Sequence, residues 1–72
     1  MTIEIISARL SRQYNKDFKE GTTAAEIFSS EGFDPIVEMI TVKRNGTMIR
    51  YDPYRIILEH GDRVLVTGRY VT

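Results

Sequence analysis

Ile40-Thr41-Val42-Lys43-Arg44-Asn45-Gly46-Thr47-Met48-Ile49-Arg50 decides the fold class of this chain. Apolar and polar residues alternate on both sides of Asn45-Gly46. That dipeptide readily supplies the two left-handed residues of a two-residue hairpin turn. Residues 39–44 and 47–51 are therefore predicted as paired strands, closed by Asp52-Pro53. Further on, Gly61-Asp62 turns into Arg63-Val64-Leu65-Val66-Thr67, a last strand with Val64 and Val66 inward and Arg63, Leu65 and Thr67 outward. Residues 54–60 lie between them. They read as an irregular or 3₁₀ turn that tucks one or two of Ile56, Ile57 and Leu58 under the sheet. Gly68 reads as a bulge or a point of close backbone approach.

Upstream of the hairpin the pattern changes twice. Residues 1–10 read as a strand, with Ile3 and Ile5 alternating with Thr2 and Glu4. Ile6 interrupts the alternation, which predicts a twist or bulge before Ala8 and Leu10. Polar residues 11–15 read as a turn. Residues 16–20 read as a short edge strand, Phe18 inward and its charges outward to discourage pairing with other chains. Gly21 ends it. Thr23-Ala24-Ala25-Glu26 has the spacing of a capping box, and Ala24, Ile27 and Phe28 form one helical stripe. Gly32 stands where a left-handed C-cap is wanted, and Asp34-Pro35 blocks continuation. A helix of about two turns is not stable alone in water, so it must dock on the sheet. The order β-β-α-β-β-turn-β is an α+β arrangement, with the first and last strands as parallel neighbours at the sheet centre.

Seventy-two residues hold one domain, 1–72, with one core. Cysteine is absent, so packing must serve where small domains often use disulfides or thiolate metal sites. Ten Lys+Arg balance ten Asp+Glu. That balance argues against nucleic acid as the main partner. The distribution is uneven. Residues 1–38 hold seven acids against four bases, and residues 39–72 hold six bases against three acids. The fold should therefore be acidic around its helix and basic on its later strands, a pattern that orients a charged partner. No run approaches the length of a membrane span, and the start lacks a secretory pattern, so a cytoplasmic protein is expected.

Three segments carry a family resemblance: Thr22-Thr23-Ala24-Ala25-Glu26-Ile27, then Val42-Lys43-Arg44-Asn45-Gly46, then Leu58-Glu59-His60-Gly61-Asp62-Arg63-Val64-Leu65-Val66. In order and spacing the chain resembles the ThiS/MoaD-type sulfur carriers of thiamine and molybdopterin synthesis, over residues 20 to 68. The resemblance implies a ubiquitin-like β-grasp fold, a mixed sheet of about five strands packed on one short helix. It implies a protein partner, of the kind of an E1-like activating enzyme or a synthase subunit. Family carriers end in a flexible Gly-Gly whose carboxylate is adenylated and becomes a thiocarboxylate. Here the corresponding residues are Tyr70-Val71-Thr72. The expectation is a relative without that reactive tail, and a sulfur carrier is the alternative.

Chemistry is sparse elsewhere. His60 is the sole histidine and has no cysteine or paired carboxylates at metal or catalytic spacing. No phosphate loop and no nucleophile-base set is present, so neither enzyme activity nor a cofactor is expected. Lys43, Arg44, Arg50, Arg55, Arg63 and Arg69 interleave with Tyr51, Tyr54 and Tyr70. Cations among aromatics are the pattern of single-stranded nucleic-acid binding, and TGS-type domains offer a fold analogy for RNA. The expected protein-binding face consists of Met39, Lys43, Leu65, Thr67 and Arg69 on the solvent side of the later strands.

Overall fold

In a computed structural model, which describes residues 1–50 and 52–69, five strands form one mixed sheet. They are β1 (Thr2–Ser7), β2 (Arg12–Asp17), β3 (Glu38–Arg44), β4 (Thr47–Ile49) and β5 (Arg63–Gly68). Among the described residues one α-helix, α1 (Glu26–Glu31), lies between β2 and β3 in sequence, and a 3₁₀ turn at Pro53–Arg55 lies between β4 and β5. The sheet order is β2-β1-β5-β3-β4. β1 runs parallel to β5, and the other pairs are antiparallel. The expected α+β class, the mixed sheet and the central parallel pair are therefore present.

The hairpin forms as its turn chemistry demands. Asn45 and Gly46 both take positive φ, 51° and 79°, and Arg44 pairs with Thr47. β4 is shorter than the expected 47–51: it ends at Ile49, and Arg50 already lies outside it, while Tyr51 and the Tyr70-Val71-Thr72 tail lie outside the described residues.

Three further expectations need correction. β1 is shorter than residues 1–10 and has no bulge. Its alternation carries straight through, with Ile3, Ile5 and Ser7 buried and Ile6 on the other face. The chain turns at 8–11, where the Ser7 hydroxyl accepts from the Leu10 N–H (3.3 Å) and Ser11 takes φ 50°. β2 therefore begins at Arg12, inside the stretch expected to be a turn, and ends before Phe18. An edge strand needs only one paired side, so a polar run suffices there. Gly68 makes no bulge. It stands opposite Glu38 in a register unbroken to Lys43 opposite Arg63.

α1 is held much as its stripe predicts. Ala24, Ile27 and Phe28 are buried against Ile3, Ile5, Val42, Val64 and Val66. Only half the capping box forms. The Glu26 carboxylate accepts from the Thr23 N–H (3.0 Å), but the Thr23 side chain does not cap, and Ala25 at the N-cap is already helical. Gly32 adopts the left-handed conformation (φ 75°), and the Phe33 N–H returns to the Phe28 carbonyl (2.8 Å). That closure turns Phe33 into the core. After the 3₁₀ turn, Ile56 and Leu58 enter the core while Ile57 stays 59% exposed. A bridge between Thr23 and Ile57 ties this segment to the approach of α1.

Candidate functional site

One face of the sheet is covered by α1 and the 56–58 segment, whose buried side chains pack on the inward positions of β1, β3 and β5. The opposite face follows from strand alternation and register. Across β3 and β5, Met39 stands opposite Thr67, Thr41 opposite Leu65, and Lys43 opposite Arg63. Across β1 and β5, Ile6 stands opposite Leu65 and Glu4 opposite Arg63. Lys43 also faces Met48 of β4. Two zones result. An aliphatic band contains Ile6, Leu65 and Thr41, with Met39 and Thr67 beside it. One i, i+2 step away, about 7 Å along the strands, a charged row runs Glu4, Arg63, Lys43 and ends against Met48 of β4. Met39 and Met48 are 40% and 41% exposed.

Of the five residues expected to form a binding face, Met39, Lys43, Leu65 and Thr67 lie together here. Arg69, just past β5, also reaches back to the segment before β3. Its Nη2 donates to the Pro35 and Glu38 carbonyls (3.1 and 3.2 Å), and its N–H donates to the Val37 carbonyl (2.8 Å). Arg50 and Arg69 share a hollow of about 390 Å³ with Met39, Thr41 and Pro53. Ile6, Thr41, Glu4, Arg63 and Met48 complete the face. Period-two alternation with Met39 and Lys43 would have found Thr41 on β3, and it would have found Ile6 had a twist or bulge not been expected in β1 there.

The interleaved cations and tyrosines do not form one surface among the described residues. Tyr54 lines a groove on the helix side with Ala25, Phe28, Phe33 and Pro35. Arg44 faces inward and is held by Asp62. Its Nε and Nη2 donate to the two Asp62 carboxylate oxygens (2.9 and 2.8 Å), and Nη2 also donates to the Ile57 carbonyl (3.0 Å). The Asp62 hydrogen bonds, more than the burial they cost it, hold the Arg44 guanidinium above its usual pKa.

Three more polar groups act as internal ties. Buried Glu38 pairs with Arg9 (2.7 Å) and accepts from the Asp34 N–H (3.1 Å). Glu31 accepts from the Tyr14 hydroxyl (2.8 Å) and pairs with Lys16 (2.6 Å), which joins α1 to β2. Burial alone would raise the Glu31 carboxyl. Hydrogen bonds from Lys16, Tyr14 and Ser30 outweigh it, and the net shift is downward. Burial first, and the bond to Glu31 second, push the Tyr14 phenol up to about 12. His60 accepts at Nδ1 from the Thr2 N–H (3.0 Å), so its neutral ring carries the proton on Nε2 while this bond holds. His60 thus ties the start of β1 to the turn before β5.

Among the described residues, no three His, Asp or Glu side chains gather where they could hold a metal ion, and no helix is long and apolar enough to cross a membrane. No protein-family model and no curated protein matches the chain.

Proposed function

We propose that this chain is a ubiquitin-like β-grasp module, related to the ThiS/MoaD-type sulfur carriers, that acts by binding another protein through the uncovered face of its sheet. The strand order, with α1 between the second and third strands, supports the fold assignment. One observation carries the function: Met39, Leu65 and Ile6, flanked by the threonines Thr41 and Thr67, make a largely apolar band, half-buried except at Met39, with cations at its margin. An apolar centre within a polar rim is the anatomy of a protein interface. Single exposed apolar residues are common on any surface. A band continuous over three neighbouring strands is not one isolated residue. The aliphatic make-up also favours protein over single-stranded nucleic acid, which binds by stacking on aromatic rings.

The test compares affinity capture by three folded proteins: the unaltered chain, Leu65→Asp and Glu26→Lys. Leu65→Asp places a charge in the band, and Glu26→Lys alters the exposed side of α1. The expected result is one set of bound proteins retained by the unaltered chain and by Glu26→Lys, and lost by Leu65→Asp. Loss with Glu26→Lys alone would move the binding surface to the helix and refute the proposal.

A further inference from the structure

The charged row contains a local conflict. Lys43 and Arg63 stand directly opposite each other on neighbouring strands, with their side chains on the same face. Like charges in that relation destabilise a sheet. Glu4 relieves it in part, since its Oε1 lies 2.8 Å from Arg63 Nε as an ion pair without a hydrogen bond. Its other oxygen is taken by the Gln13 amide (2.7 Å). Among the described residues, no carboxylate pairs with Lys43. The two cations also line a depression of about 310 Å³ with Asn45, Gly46 and Gly61. Neither glycine has a neighbouring atom within 4 Å of where a Cβ would sit, so access to the turn backbone is open. A repulsive pair at the mouth of an open depression becomes favourable when a negative group arrives from outside. Local rules of sheet pairing are most often broken where function requires it.

We infer that this depression is a carboxylate-binding subsite, and that its occupant is an acidic side chain on an extended segment of the partner protein. This rests on the sheet-face reading above and specifies the chemistry of that partner. The aliphatic band lies one i, i+2 step away, so an extended ligand would place an apolar residue two positions from its acid. Lys43 and Arg63 supply charge-assisted hydrogen bonds to the carboxylate. Leu65, Thr41 and Ile6 receive the apolar side chain. The partner motif is thus Glu-x-Leu or a close equivalent.

The test is a chemical-shift titration of the ¹⁵N-labelled chain with the peptide acetyl-Ser-Glu-Thr-Leu-Thr-amide. Three further probes are run beside it: the peptide with Gln for Glu, the peptide with Ser for Leu, and a ten-nucleotide oligouridylate. The first peptide is expected to shift the amides of Gly46, Gly61, Lys43 and Leu65. Replacing Glu by Gln should weaken binding about tenfold, the value of one charge-assisted hydrogen bond. Lys43→Met should lower affinity by a similar factor while leaving stability to urea equal or higher, because it relieves the repulsion. A residue with a merely structural role would move stability downward instead. Binding unaffected by Gln but lost with Ser refutes the carboxylate subsite and leaves the sheet-face reading standing. No binding to any peptide overturns the carboxylate subsite, and the Leu65→Asp capture comparison then decides the sheet-face reading separately. Oligouridylate that shifts the same amides at equal or lower concentration refutes the acidic peptide as occupant.

Discussion

Asp62→Ala is the substitution from which most can be learned about how this small fold holds together. Asp62 has a side chain only 2% exposed, and it makes three bonds: two from Arg44 and one from the Glu59 N–H (2.8 Å). Removing one member of a buried pair costs about 3–5 kcal/mol, chiefly because the other charge is left uncompensated. Arg44 is better off than that limit. Its side chain is 24% exposed, and it keeps Glu59 (2.7 Å) and the Ile57 carbonyl (3.0 Å). The expected loss is therefore about 2–4 kcal/mol. A chain of 72 residues has a total stability of about 4–11 kcal/mol. The variant should retain its fold at 25 °C with a Tm lower by about 10–25 °C. Urea unfolding followed by far-ultraviolet circular dichroism measures this, with an unchanged m value as the check that both states are comparable. Glu59→Ala is the internal control. Its carboxylate is 64% exposed, so an ion pair there contributes less than about 1 kcal/mol. Equal and small losses for Asp62→Ala and Glu59→Ala would refute the claim that the buried carboxylate organises the turn.

Ile27→Ala, at a fully buried position on α1, should cost about 2–5 kcal/mol and lower the urea midpoint at least as far as Asp62→Ala does. Gly46→Ala meets no neighbouring atoms, so its cost is purely conformational at φ 79°: about 1–2 kcal/mol, restored by D-alanine at the same position. The Tyr14 phenol, raised to about 12 in the fold against about 10 unfolded, gives stability that is complete below pH 10 and lost as pH rises through 12. Tyr14→Phe should therefore flatten the fall of the urea midpoint between those values. Glu31 has the opposite sign. Its lowered carboxyl contributes stability above the ordinary carboxylate range and loses it as pH falls below, so Glu31→Gln should flatten the acid limb of the same profile.

The parts of the fold that could be read in advance are those where one local rule decides. Asn45-Gly46 needs two positive φ values, Gly32 needs one, and Val64 and Val66 alternate on a strand with one buried face. The misreadings share a cause. Polar residues 11–15 look like a turn because local propensity says so, yet pairing with β1 and the reach of Tyr14 to Glu31 make Arg12–Asp17 a strand. Ile6 suggests a twist or bulge in β1 because it interrupts the apolar-polar alternation. It stands instead across from Leu65 on the uncovered face. Glu38 and Asp62 could not be recognised as buried from sequence, since their partners Arg9 and Arg44 lie 29 and 18 positions away. The members of the candidate face on β3 and β5 were visible by alternation. Lys43 and Arg63 were each legible as outward, but their conflict was not, because it exists only once the register is known.

The register also explains how a chain with no net charge comes to present a basic rim. Much of its acid is used inside the fold. Glu31 fastens α1 to β2, Glu38 fastens the start of β3 to the first turn, and Asp62 fastens the turn before β5 to the hairpin. Each of these carboxylates is buried or nearly so and joins segments distant in sequence. That is the service disulfides perform in other domains of this size. The cations of β3 and β5 follow a different logic. Arg44 points inward and is neutralised, whereas Lys43, its neighbour in sequence, points outward beside Arg63. Strand alternation therefore divides two adjacent basic residues into one structural and one available to a ligand. Three carboxylates are thus drawn inward as ties, while Lys43 and Arg63 stay at the margin of the apolar band.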